Sequence, residues 1–118
     1  VFGSIGLARL HVFSGQPDKA IKVLRDTLKW YAGDHEVSLY LGLAYAFKKD
    51  SARAIQELNK SLQWDPDFPP AHYYLGVQYQ TRSPALAKKH LETFLQLASS
   101  RPGYENLQPR AEKILNKL

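Results

Sequence analysis

The chain has 118 residues, of which 44% are apolar and 23% are charged, a balance typical of an ordinary globular domain. No apolar run approaches the roughly 18–20 residues that a membrane span requires, so we expect no span. Cysteine is absent, which excludes disulfides, thiolate metal sites and cysteine nucleophiles and fits the cytoplasm, which we prefer, or the periplasm. Methionine is also absent, including at position 1, so we interpret the chain as a piece of a longer protein.

The net charge is +5 and the isoelectric point is about 9.5, values that would suit a nucleic acid or an anionic membrane as a partner. The basic residues are scattered, however, and acidic residues interleave with them, as Asp18 does with Lys22. Oppositely charged residues four apart form favourable ion pairs on a helix. We therefore expect an Asp18–Lys22 pair and solvated helix faces, and we do not predict nucleic acid as the partner.

The first predicted helix pair is divided at residues 15–17, Gly-Gln-Pro. Pro17 falls in the first turn of the second helix, where its missing N–H does no harm. In the next pair, apolar residues spaced three and four apart predict a helix over about residues 35–48. Asp34 is its predicted N-cap, because a carboxylate there can accept from free backbone N–H groups.

A second apolar stripe starts at Ala54 and ends before Pro66, which cannot continue a helix. In the third pair, Ser83 is the predicted N-cap of the second helix. An apolar face between Leu107 and Leu118 predicts one more helix, at about residues 104–118. The predicted fold class is therefore all-α.

The helix pairs repeat with a fixed period. Residues 40–45, YLGLAY, return 34 positions later as residues 74–79, YLGVQY. Alanine, leucine and tryptophan positions in the second helices follow the same spacing, shortened to 33 in the third copy. Such periods are typical of stacked helical repeats. The predicted repeats are residues 1–34, 35–68 and 69–101, with a capping helix after them.

Gly42 and Gly76 lie inside predicted helices, where glycine costs about 1 kcal/mol relative to alanine. Ala54 and Ala87 occupy equivalent places in the partner helices. We expect these small residues to face each other and to let the two helix backbones approach closely.

These positions resemble the tetratricopeptide repeat family, whose pattern is W-x2-L-G-x2-Y, then A-x3-F, then P. The second repeat carries Leu41-Gly42-x2-Tyr45, Ala54-x3-Leu58 and Pro66, although serine stands in place of the tryptophan. The resemblance implies a single domain over residues 1–118. It further implies an α-solenoid, a right-handed superhelix of three antiparallel helix pairs, closed by the C-terminal helix.

In this family the first helix of each pair lines a concave groove. The residues that this implies for the groove are mostly apolar, which favours an amphipathic helix or an extended apolar peptide of another protein. The alternative is that these residues only complete the packing between helices. The predicted groove residues are Ile5, Arg9, Val12, Phe13, Leu39, Leu43, Phe47, Tyr73, Val77 and Gln80.

Some family members hold the acidic tail of a chaperone in a clamp of basic and amide side chains. The corresponding positions here are Ile5, Arg9, Tyr40, Pro70 and Tyr74. Only Arg9 can bind a carboxylate by a charge-assisted hydrogen bond. An acidic chaperone tail is therefore not the predicted partner.

No motif predicts catalysis, a metal site or a cofactor, so we expect a non-enzymatic scaffold. Trp30 and Trp64 recur with the repeat period, which predicts packing between repeats. Two other functions remain open, an RNA-binding helical array and an accessory domain of a larger enzyme. A further expectation is self-association through Phe2, Leu10 or Phe13 at the first helix, which would make the protein a homo-oligomer.

Overall fold

The computed structural model describes residues 2–118. Val1 and the side chain of Phe2, including the expected role of Phe2 in self-association, lie outside the described residues. Within the described range the fold is all-α, without strands, as predicted. None of the described helices combines the length and apolar character needed to cross a membrane. The helices are α1 Phe2–Phe13, α2 Pro17–Thr27, α3 His35–Phe47, α4 Ser51–Trp64, α5 Pro69–Tyr79, α6 Pro84–Ala98 and α7 Gln108–Lys117.

The predicted helix starts are confirmed at two N-caps. The Asp34 carboxylate accepts hydrogen bonds from the backbone N–H groups of Glu36 and Val37, at 2.9 and 3.0 Å. Burial alone would raise the pKa of Asp34, but the hydrogen bonds from Val37, the Tyr31 hydroxyl and Glu36 outweigh it and lower that pKa. Ser83 caps α6 in the same way through its hydroxyl oxygen.

Contacts divide the chain into two compact units, the first ending at Pro66 and the second starting at Asp67. In the first unit α1 packs on α2, α3 packs on α4, and both α1 and α2 contact α3. In the second unit α5 packs on α6, and α6 also contacts α7. Because tight turns join the members of each pair, the paired helices are antiparallel. The three helix pairs and the C-terminal helix are thus confirmed.

The mid-helix glycines make close contacts with the second helix of their pair, and the nearest atoms belong to leucines. A Cβ added at Gly42 would lie 2.8 Å from Cγ of Leu58 and 3.3 Å from the carbonyl oxygen of Ala54. A Cβ at Gly76 would lie 2.4 Å from Cγ of Leu91. The expected close approach of the two backbones is confirmed at Gly42 by the Ala54 carbonyl oxygen, but the nearest side chains are Leu58 and Leu91 and not the alanines. Each glycine makes room for a buried leucine of the next helix.

The second unit has an aromatic core. Tyr73, Leu91, Phe94, Ala98 and Ala111 form its buried cluster. Phe94 lies between two tyrosines, with ring centroids 5.3 Å from Tyr73 and 6.2 Å from Tyr104. Because Ala111 belongs to α7, the C-terminal helix completes this cluster, as a terminal cap must.

The expected ion pair between Asp18 and Lys22 is wrong. The Asp18 carboxylate lies 2.6 Å from the ammonium of Lys48, just after α3, and Lys22 pairs with Asp26 at 3.7 Å. Asp18 therefore links α2 to the end of α3 instead of stabilising its own helix. These side chains are largely exposed, so each pair contributes little, on the order of 0–1 kcal/mol.

Candidate functional site

The ten predicted groove residues separate by burial. Ile5, Val12, Leu39, Leu43 and Tyr73 are buried, with at most 7% of each residue exposed. Their side chains complete the helix packing, which is the alternative that the sequence left open for them. These five side chains are therefore not accessible to a ligand on the surface of the described structure.

Two phenylalanines of the predicted groove remain open. Phe13 is the last residue of α1 and is 60% exposed, and Phe47 is the last residue of α3 and is 51% exposed. Their ring centroids are 6.5 Å apart and the ring planes meet at 85°. This edge-to-face geometry is a favoured arrangement of aromatic pairs. The first unit therefore presents two aromatic rings side by side to solvent.

Arg9 adds a positive charge near these rings. It is exposed and lies one helical turn before Phe13, a spacing that places both on the same side of α1. The Arg9 guanidinium also lies close to the Tyr40 side chain of α3. Burial raises the pKa of Tyr40, which Arg9 partly offsets by its charge. We call Arg9, Phe13 and Phe47 together the α1–α3 surface.

In the second unit the predicted residues lie differently. Val77 is partly buried and packs against the aromatic cluster that contains Tyr73. Gln80 is half-buried at the end of α5. The residue 34 positions after Phe47 is Thr81, which is exposed. At the position equivalent to Phe47, the second unit therefore carries no aromatic side chain.

The tryptophans and the first helix depart from the prediction. Trp30 and Trp64 are 65% and 56% exposed, so the expectation that they pack between repeats is wrong. Leu7 and Leu10 of α1 are also exposed, at 44% and 60%. The repeat period shows which positions are equivalent between repeats. It does not show which side of a helix is buried against its neighbours.

A histidine pair in the second unit was not predicted. Nδ1 of His72 on α5 lies 3.0 Å from Nδ1 of His90 on α6, and the Tyr79 ring stacks on His90 at 5.9 Å. Burial, the charge of His72 and the charge of Lys89 lower the pKa of His90 to about 4. The two residues are 18 positions apart on different helices, so no spacing within one helix could have indicated the contact.

The rings of this pair point at each other. Their centroids are 5.3 Å apart, the separation expected when both Nδ1 atoms lie on the line between the rings. One imidazole then donates an N–H to the lone pair of the other, so the arrangement is a hydrogen bond and not a pair of converging metal ligands. Over residues 2–118 no group of three or more histidine, aspartate or glutamate side chains is placed to hold a metal ion.

A comparison with models of known sequence families supports the second predicted repeat. The sequence model described as tetratricopeptide repeat matches residues 38–68, which coincides with the second predicted repeat. Residues 38–68 are therefore similar to one tetratricopeptide repeat. A comparison with curated proteins finds no match.

Solved structures resemble the fold over nearly the whole chain. SycD of Yersinia enterocolitica, a type III secretion chaperone in complex with a peptide of the translocator YopD, is 20% identical with a TM-score of 0.86, covering 98% of this chain and 88% of that one. PcrH from Pseudomonas aeruginosa gives the same four values. PcrH with the chaperone binding region of PopB is 20% identical with a TM-score of 0.84, covering 96% and 92%. These likenesses establish the tetratricopeptide fold.

Proposed function

We propose that this protein is a non-catalytic scaffold that binds an apolar peptide or amphipathic helix of another protein on its first helices. The observation that carries this proposal is the exposed edge-to-face pair of Phe13 and Phe47. Large aromatic rings held side by side at a helix-pair surface are the kind of residue that dominates binding energy in protein interfaces.

The size of the effect supports a binding role for these rings. Burying the exposed part of a phenylalanine contributes about 1–2 kcal/mol when apolar area is converted at the usual rate. Phe13 and Phe47 already contact each other, so a partner loses little free energy in ordering them. Two such anchors together contribute about 2–4 kcal/mol, so further apolar contacts and hydrogen bonds of the partner must add to them to offset the cost of association.

Arg9 favours a partner that carries an acidic residue in addition to its apolar side chains. Its exposed guanidinium lies one turn from Phe13, so an acidic residue beside the apolar anchors of the partner fits this surface by charge. A single cation does not form the two-carboxylate clamp that an acidic chaperone tail needs. The proposed ligand is therefore an apolar segment with one acidic residue.

The solved counterparts supply the first partners to test. SycD is seen with a peptide of a translocator and PcrH with the chaperone binding region of one. We propose that segments of secreted translocator type are candidate ligands of this chain. A second copy of the chain would compete for the same region, because Leu10 and Phe13 of α1 are both exposed.

The test is selection of 15-residue peptides from a displayed library, followed by titration of the best peptide and of the PopB chaperone binding region by calorimetry. Phe47→Ser should weaken binding about tenfold or more, which corresponds to about 1.4 kcal/mol. Trp30→Ser is the control, since Trp30 is an exposed aromatic residue of the same unit outside the α1–α3 surface.

Equal losses in both variants, or none in either, would refute the role of the phenylalanine pair. Sedimentation at two protein concentrations shows whether a second copy of the chain occupies this surface instead of a peptide. If the wild-type chain dimerises and Phe13→Ser is monomeric, the surface pairs copies of this chain.

A further inference from the structure

A second candidate site lies in the first unit, on the helices that the α1–α3 surface does not use. A cavity of about 520 Å³ is enclosed by α2, the loop after it, and parts of α3 and α4. Val37 and Leu41 of α3 form its buried floor. Leu28 and the half-exposed indole of Trp64 form its apolar walls. The volume falls within the range of about 300–1,000 Å³ that small-ligand sites occupy.

The charged residues at the rim of the cavity differ in whether they form an ion pair. Glu57 and Lys60 pair with each other at 3.4 Å, and the Glu57 side chain is only 13% exposed. Arg25 takes part in none of the ion pairs formed by the described residues. Within residues 2–118, the rim therefore holds one positive charge that forms no ion pair with a carboxylate.

Arg25 is also fixed in position. Its guanidinium donates a hydrogen bond to the Tyr45 hydroxyl and lies 5.9 Å from the centre of the Tyr45 ring. A guanidinium has five donors in a planar fork, and this contact uses only part of them. The remaining donors of a pre-oriented Arg25 can bind both oxygens of one carboxylate, a strong and directional contact.

We propose that this cavity binds a monocarboxylate with an apolar body about the size of an aromatic ring. The carboxylate pairs with Arg25, and the apolar body lies between Leu28 and Trp64 over the floor of Val37 and Leu41. The proposal accounts for the exposure of Trp64, which helix packing leaves uncovered. The free small molecule and the C-terminal residue of a polypeptide share this chemistry.

The cavity is separate from the α1–α3 surface. It meets α3 in its first two turns, at Val37, Ser38 and Leu41, whereas Phe47 is the last residue of α3. No residue of the α1–α3 surface lines the cavity. Failure of one proposal therefore leaves the other standing.

The experiment uses the tryptophan in the wall as a reporter. The chain has two tryptophans, so Trp30→Phe leaves Trp64 as the only one. In that background, 3-phenylpropionate is titrated and the Trp64 fluorescence is followed, with 3-phenylpropanamide as the uncharged probe of equal shape. Saturable binding of the acid, at least about tenfold tighter than that of the amide, is expected, because the charge-assisted contact is lost in the amide.

Two variants test the assigned residues. Arg25→Gln should remove the preference for the acid over the amide, and Arg25→Lys should retain part of it. Ala32→Phe should block binding, since Ala32 lines the cavity. Ala52→Phe is the matched control, because Ala52 is exposed on α4 and does not line the cavity.

A peptide of four residues that ends in phenylalanine distinguishes a polypeptide C-terminus from a small-molecule acid as the natural ligand. The peptide is tested with a free and with an amidated C-terminus. Tighter binding of the free-ended peptide than of 3-phenylpropionate identifies a chain terminus, and the reverse order identifies a small molecule. No saturable change with either acid overturns the proposal. Equal binding of acid and amide, or binding that survives both Arg25→Gln and Ala32→Phe, overturns it as well.

Discussion

The two units place their phenylalanines in opposite environments. In the first unit Phe13 and Phe47 lie at helix ends and are more than half exposed. In the second unit Phe94 is fully buried between Tyr73 and Tyr104, and α7 completes the cluster around it. One repeat pattern thus supports two roles, since an aromatic residue at the end of a first helix faces solvent and one inside a second helix faces the core.

The proposed binding surface lies in the first unit, whereas the buried aromatic cluster lies in the second. Among the predicted groove residues, Leu39 and Leu43 inside α3 are buried. Phe13 and Phe47, the last residues of α1 and α3, are accessible. Substitutions in the two units should therefore separate stability from binding.

The largest expected effect is that of Phe94→Ala. Removing a fully buried aromatic side chain destabilises a protein by about 3–5 kcal/mol. Phe13→Ala, which removes a side chain of the same kind from the surface, should change stability by no more than about 0.5 kcal/mol. Chemical unfolding of both variants measures the difference. Comparable losses in the two would remove the distinction between the units.

The next effect concerns the two mid-helix glycines. Gly76→Ala should destabilise by about 1–3 kcal/mol, because its Cβ would overlap Leu91 and overpacking exceeds the gain in helix propensity. Gly42→Ala should cost less, since its nearest contact is longer, 2.8 Å against 2.4 Å.

Gly6→Ala is the control for helix propensity alone. Gly6 lies inside α1, and no atom lies within 4 Å of an added Cβ, so this variant should gain up to about 1 kcal/mol. Thermal melts of the three variants give the order. A stable Gly76→Ala variant would show that the second helix pair does not depend on this contact.

A smaller effect is expected from pH. His90 has a pKa near 4 in the folded protein against about 6.5 in the unfolded chain, so folding favours the neutral ring. Stability should be full above about pH 6.5 and fall as the pH drops toward 4. Because His90 is half exposed, solvent screening limits the loss to about 1–2 kcal/mol.

The groups that face His90 are His72, Tyr79 and Lys89. Urea unfolding midpoints of the wild type and of His90→Gln, followed across this pH range, measure the contribution. The variant should lose this part of the pH dependence, whereas His11→Gln in the first unit should keep it. An unchanged pH dependence in His90→Gln would exclude the histidine pair as its cause.

Local sequence rules predicted the helices well. Asp34 and Ser83 are the N-caps that their side chains indicated, and Pro17 opens α2, since caps and proline act within a few residues of the chain. The start of the predicted C-terminal helix was less accurate, because α7 begins at Gln108 and not at about residue 104. Residues 104–107 form a turn before α7, held by a hydrogen bond from the N–H of Leu107 to the carbonyl of Tyr104.

Contacts between helices were predicted less well. The period showed that Gly42 meets the following helix, but the atoms that come closest belong to Leu58, four residues after Ala54. The His72–His90 pair and the exposure of Trp64 depend on how two helices rotate about their axes. Packing of the whole unit decides that rotation, and single-helix patterns do not contain it.

The most direct test of the central claim is hydrogen exchange of the full chain, followed by mass spectrometry, with and without a saturating selected peptide. The account predicts that the peptide slows exchange in the last turns of α1 and α3, around Phe13 and Phe47. Protection confined to α6 and α7, with no change at these two helix ends, would contradict it.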